Sequence, residues 1–125
     1  MDLERKTLSA ILDSVLDTGI ITLDSDGHIL SWNAGAVQLF GWTEAEVSGR
    51  TIELLSTDED RAAGLPLAEI EDAATLGRGG QEGWRTCKDG RHVWAIGEMS
   101  PIRDDDGEIE GFVKIVRDRT DWKRA

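Results

Sequence analysis

The groups in this chain that could do chemistry are one cysteine, two histidines, and the carboxylates and arginines scattered around them. Cys87 stands alone, so no internal disulfide can form, and two imidazoles are a poor supply of ligands for a structural zinc. His28 and His92 both fall at strand starts beside turns, where a solvated or capping role is expected ahead of metal binding. The acidic runs "DSDG" and "RDDDGE" do not continue with the ligand spacing of a calcium loop and read as turns. In "GRGGQEG" the third glycine is misplaced for a nucleotide loop, and the run leads from a helix into a strand, the reverse of the needed order. It is expected to be a flexible connector. Serines and histidines show no local arrangement that nominates a catalytic triad, so the chain reads as a non-enzyme.

Recognition remains. Arg85 carries a planar fork suited to two-point binding of a carboxylate, and a solvated or salt-bridged arginine is the alternative. Trp84 and Trp94 face each other across a predicted hairpin, and Trp32 ends the strand before the first short helix. They fill the core, or one of them lines a pocket with its indole N–H as a donor.

These side chains must be positioned by a single domain, since 125 residues can bury a core but leave no room for a second unit. The formal charge of −11 would repel phosphate backbones and anionic lipid surfaces, so nucleic acid is not an expected partner. The acidic bias suits a salt-rich cytoplasm or a soluble surface in an ordinary cell. No apolar run approaches the roughly 18 residues of a membrane span. The start "MDLERKTLSAILDSVL" mixes charge into its apolar pattern, unlike a signal peptide. Together with the lone cysteine this predicts a cytoplasmic protein without membrane insertion.

Asp26-Gly27, Asp89-Gly90 and Asp106-Gly107 each sit between apolar or alternating segments, and Asp-Gly supplies positive-φ residues for hairpin turns. Two antiparallel ribbons follow: "GIITL" with "HILSW", then "EGWRTC", "RHVWAIGEMSPI" and "IEGFVKIVRD". Between them the pattern is helical and broken. Asn33 caps "AGAVQLF" and Gly41 ends it. Thr43 and Glu46 form a capping box for "TEAEV", and "TIELL" makes a third turn. Pro66 should start or kink a main helix whose Leu67, Ile70, Ala74 and Leu65 face inward. Ahead of the sheet, Leu8, Ile11, Leu12, Val15 and Leu16 form an apolar stripe on a charged helix.

The segments "DGHILSWNAGAVQLFGWTEAEVSGR", "EGWRTCKDGRHVWA" and "SPIRDDDGEIEGFVKIVRDRT" resemble a PAS sensory domain, of the type found ahead of bacterial histidine kinases. The likeness runs from about Ile11 to Thr120. It implies an α+β fold: a five-stranded antiparallel sheet with short helices on one face, leaving a pocket between them, plus an N-terminal amphipathic helix. The domain plan is an N-terminal helix for dimerisation or linkage over 1–16, a PAS core over 17–120, and the start of an output linker over 121–125. The candidate pocket takes Trp32, Leu39, Phe40, Leu67, Ile70, Trp84, Arg85 and Trp94. Light-sensing members carry a cysteine where this chain reads "GRTIELLST", and haem members a histidine on the main helix, where 58–77 has none. Neither haem nor flavin is expected, and the identity of any ligand stays open.

The resemblance further implies a non-catalytic sensor that binds a small molecule or relays a conformational signal to an output domain in the same chain, such as a kinase. A ligand-free dimerisation and relay domain with a filled core is the alternative. The striped N-terminal helix implies a homodimer. Asp118 and Thr120 match a short family motif at the output junction: Asp118 holding the strand end against the core, through an arginine for instance, and Thr120 starting the output helix.

Overall fold

The computed structural model describes residues 2–125. Helix α1 (Asp2–Ser14) leads into strands β1 (Thr18–Asp24) and β2 (Ile29–Trp32). Helices α2 (Ala34–Phe40) and α3 (Glu44–Val47), a 3-10 turn (Ile52–Leu55), α4 (Asp58–Ala62) and α5 (Leu65–Leu76) follow. Strands β3 (Gly79–Thr86), β4 (His92–Arg103) and β5 (Ile109–Asp118) precede a final turn of helix, α6 (Thr120–Arg124). The two ribbons join into one antiparallel sheet of order β2-β1-β5-β4-β3, because β1 pairs with β5 from Thr18↔Arg117 to Asp24↔Gly111.

All three hairpin turns share one construction. Gly27 N–H donates to Asp24 O, and Asp24 N–H donates to His28 O, so the loop is a type I turn closed by a left-handed glycine. Cys87 to Arg91 and Asp104 to Glu108 repeat it. Only the glycine has positive φ, so the aspartate of each Asp-Gly pair does not supply a second left-handed residue as the sequence suggested. Asp24 instead stabilises its turn from two residues upstream, its Oδ1 accepting from the backbone N–H of Asp26 and His28 at 2.9 Å each. Those bonds, led by the one from His28 N–H, hold the Asp24 carboxyl below its ordinary value.

The short helices end where their caps dictate. Asn33 caps α2 through Ala36 N–H, and Gly41 closes it at φ 83°. Thr43 and Glu46 exchange both bonds of a capping box around α3. Glu46 also pairs with Lys88, and that contact, ahead of the bond from Thr43 N–H, lowers its carboxyl from 4.5 to about 2. A carboxyl depressed by folding stabilises above its unfolded pKa and loses that contribution as pH falls through its folded one. Glu46→Gln should therefore flatten the fall of the melting temperature between pH 4.5 and about 2, measured against the native chain. An unchanged acid profile would show that the ion pair contributes nothing to the pH response.

Two expectations shift. The run "GRGGQEG" is no flexible connector, since β3 begins within it at Gly79. A Cβ there would lie 2.5 Å from Glu69 O, so glycine is what lets the strand run directly beneath α5. Helix α5 starts at Leu65 with Pro66 in its first turn, as a helix-starting proline requires, but its buried face is Pro66, Glu69 and Ala73, while Leu67 stays 59% exposed and Leu65 40%. Ile70 and Ala74 pack at its edge. The core proper, between helices and sheet, includes Ile21, Leu23, Ile29, Phe40, Val47, Leu55, Met99, Phe112 and Val116.

Candidate functional site

Strand alternation decides which side chains face the helices. On β3 the inner row is Gly83, Arg85 and Cys87's approach; on β4 it is Val93, Ala95, Gly97 and Met99; on β5 it is Phe112, Lys114 and Val116. Two cations thus stand in an otherwise small or apolar surface. They use the space the glycines leave: a Cβ on Gly83 would meet Arg85 Nη1 at 3.1 Å, and one on Gly97 would meet Lys114 Nζ at 3.3 Å.

The helices answer with carboxylates. Lys114 Nζ donates to Glu69 Oε1 of α5, with both side chains at 5% exposure or less. Arg85, its side chain 9% exposed, lies 3.6 Å from Asp60 of α4 and donates from Nη1 to Trp84 O at 3.1 Å. Burial drives the Lys114 amine below its ordinary pKa, Glu69 opposes that shift, and the nearby Arg85 charge adds to it. Glu69 Oε2 is buried with no hydrogen-bond partner among the described residues. Glu69 borders a void of about 10 Å³, lined also by Ser56, Pro66, Gln81, Arg85 and Lys114. That is space for about one water molecule.

Of the eight candidate pocket residues, only Arg85 lines this void. Trp32 is core: its ring centroid lies 5.7 Å from that of fully buried Phe40, and its indole N–H donates to Trp42 O at 2.9 Å. Leu39 is half-buried at the edge of that cluster, with its carbonyl accepting from Cys87 Sγ. Ile70 packs against the core and Leu67 points away from it. Trp84 and Trp94 are cross-strand partners in edge-to-face contact at 5.3 Å, as the hairpin reading required, but on the outer face of the sheet. Arg85 is one residue from Trp84, and the pleat sends neighbours to opposite faces. Glu69 and Lys114 were missed. The signal was present in "GFVKIV", where a lysine occupies the inner row between Phe112 and Val116.

Cys87 is 3% exposed and burial pushes its thiol up, which describes a packed side chain. Asp24, Asp26 and His28 offer ligand atoms within 4.8 Å of one another, but Asp24 is already occupied in its turn.

At the end of β5 Asp118 and Thr120 do meet. Asp118 Oδ1 accepts from Thr120 N–H at 2.8 Å and from the Thr120 hydroxyl. The link to the core runs through Thr120, whose Oγ1 accepts from Trp94 N–H at 3.0 Å, while Arg119 N–H donates to Trp94 O at 2.7 Å. The Asp118 carboxylate has no arginine partner among the described residues, although the Asp118 carbonyl accepts from Arg119 Nη1 at 3.3 Å, and Thr120 is the first residue of α6, with Arg119 at the cap position. Lys123 lies over the Trp94 ring at 4.2 Å. At the other end α1 buries none of its residues, and Leu8, Ile11 and Leu16 are each more than half exposed, with Leu12 and Val15 half-buried near α2. No helix among the described residues is long and apolar enough to cross a membrane.

Comparison with known proteins agrees with this layout. A PAS domain from Colwellia psychrerythraea superposes with a TM-score of 0.85 at 24% identity, covering 94% of this chain and 98% of that one. The PAS domain of an HTR-like protein from Haloarcula marismortui gives 0.74 at 24%, covering 94% and 93%. Among curated proteins, two-component system protein A of Emericella nidulans is 38% identical over 97% of this chain. The cell-division control histidine kinase PdhS of Brucella ovis is 31% identical over 94% of it. The chain spans 18% of the length of the first and 11% of the second. The family described as the PAS fold matches residues 6–119, nearly the whole sheet-and-helix layout described above, and the chain belongs to it.

Proposed function

We propose that the chain is the non-catalytic sensing module of a larger cytoplasmic signalling protein of the histidine-kinase type. Its input is a small molecule held between the inner sheet face and helices α4 and α5. The observation that carries this reading is the buried charged centre there: a domain built only to fold would fill that space with apolar side chains, because buried ion pairs stabilise less than such packing. Arg85, Glu69 and Lys114 would form the floor of the site. Residues 1–16 would serve as the dimerising helix, 17–120 as the sensor core, and 121–125 as the start of the output linker, with Asp118 and Thr120 fixing its direction.

A second reading has its own support. With a void of only about 10 Å³ the core is nearly filled, which suits a ligand-free relay domain. Extraction of purified protein followed by small-molecule mass spectrometry separates the two. A stoichiometric co-purifying molecule supports sensing, and its absence after expression in rich medium supports relay. Neither outcome should colour the protein. A haem or flavin band in the visible region would overturn this expectation, which rests on the missing family histidine and cysteine.

The dimer is argued from α1. Leu8 and Ile11 are 57% and 55% exposed on one stripe, an apolar surface that a second copy would cover. Deleting the helix would also remove Leu12 O and Val15 O, which Asn33 needs as partners, so substitution is the cleaner test. Leu8→Glu with Ile11→Glu should convert a dimer into a monomer in sedimentation, with the melting of the core little changed. A dimer that survives both charges would place the interface elsewhere.

A further inference from the structure

Arg85 and Glu69 face the same void with unused capacity. Among the described residues, Arg85 Nε and Nη2 have no acceptor, and Glu69 Oε2 has no donor. The element closing the site over Arg85 is weakly held. Helix α4 buries no residue, and its inward ion pair is Asp60 against Arg85, at 3.6 Å and with Asp60 26% exposed. Arg61, on the same helix, pairs with Asp58 within it.

We propose that this centre is a carboxylate-binding site whose resting occupant is the protein's own Asp60, and that its ligand is a small 2-hydroxycarboxylate. The ligand carboxylate replaces Asp60 on the Arg85 fork, where two parallel bonds are available in place of one long contact. The adjacent hydroxyl donates to Glu69 Oε2, which supplies the missing partner of a buried acceptor. Glu69 stays in place because Lys114 holds its other oxygen. Released from Arg85, α4 moves outward, and the void gains the volume the ligand needs. The proposal deepens the sensing reading above and rests on it.

The test uses calorimetric titration of the whole chain with two probes, L-lactate and propionate, which differ in the hydroxyl. L-lactate should bind, and propionate should bind about tenfold or more weakly, the loss expected for a hydrogen bond to a charged buried group. Arg85→Met should abolish binding of both. Asp60→Asn provides a gain that no unfolding can imitate: removing the internal competitor raises the open fraction, so L-lactate should bind several-fold more tightly than to the native chain. Equal affinity of the native and Asp60→Asn proteins, equal affinity for the two probes, or no binding of either would overturn the proposal. Extraction mass spectrometry keeps the two levels apart. A co-purifying molecule without a carboxylate leaves sensing standing and this ligand class refuted, whereas an empty protein that also ignores both probes removes both.

Discussion

Lys114→Met should destabilise the fold by about 3–5 kcal/mol, the cost of leaving one member of a buried ion pair without its partner. The methionine fills the amine's volume, so the loss comes from Glu69, which would keep a carboxylate at 2% exposure among Pro66, Ala73 and the inner strand face with no donor on either oxygen. Glu69→Met with Lys114→Met should return most of that loss, because two apolar side chains of similar length replace a pair whose attraction must first offset the desolvation of both charges. Chemical denaturation of the two single variants and the double variant gives the coupling directly, and a large coupling is expected. If Lys114→Met alone costs under about 1 kcal/mol, the value of an exposed pair, the two charges are not buried together as described.

That pair also shows why the sequence was readable in some places and not in others. Caps and turns are local: Asn33 beside "AGAVQLF", Thr43 with Glu46, and the three Asp-Gly pairs each carry their physics within five residues, and each formed a boundary where the pattern put it. On α5, hydrophobicity alone would turn Leu67 inward, and the structure leaves it exposed. The helix instead buries Glu69, which is tolerable only because Lys114, 45 residues later, neutralises it. The start of β3 was hidden for a similar reason, since Gly79 serves a contact with the backbone of α5 that no neighbouring residue announces. The Asp-Gly turn is enough to pair Trp84 with Trp94, yet the face they occupy depends on sheet register. The bond between Asp118 and Thr120 spans two residues and is local, but the partner of Thr120 on β4 is not, because Trp94 lies 26 residues away.

Asn33→Ala should cost about 3 kcal/mol, well above the roughly 1 kcal/mol of an ordinary lost cap. The side chain is buried and joins three elements. Its Oδ1 accepts from Ala36 N–H of α2 at 3.0 Å and from Ile20 N–H of β1 at 2.8 Å. Its Nδ2 donates to Thr18 O at 3.1 Å, and to Leu12 O and Val15 O at the end of α1 at 3.0 and 3.3 Å. Alanine leaves buried backbone groups without partners, and the neighbouring Gly35 leaves little room for adjustment, since a Cβ there would sit 2.0 Å from Thr18 O. Asn33→Ser separates the parts: a serine can still cap α2, but it lacks the second donor arm that reaches α1, so it should recover about 1 kcal/mol and no more. Amide exchange adds a readout that a simple cap would not move. In Asn33→Ala the last turn of α1 and the start of β1 should exchange faster together, because the same amide group holds both. If serine restores full stability, or if alanine costs no more than an ordinary cap, Asn33 acts on α2 alone. The N-terminal helix would then be free of the sheet, and movement at that helix could not be passed to the core through this residue.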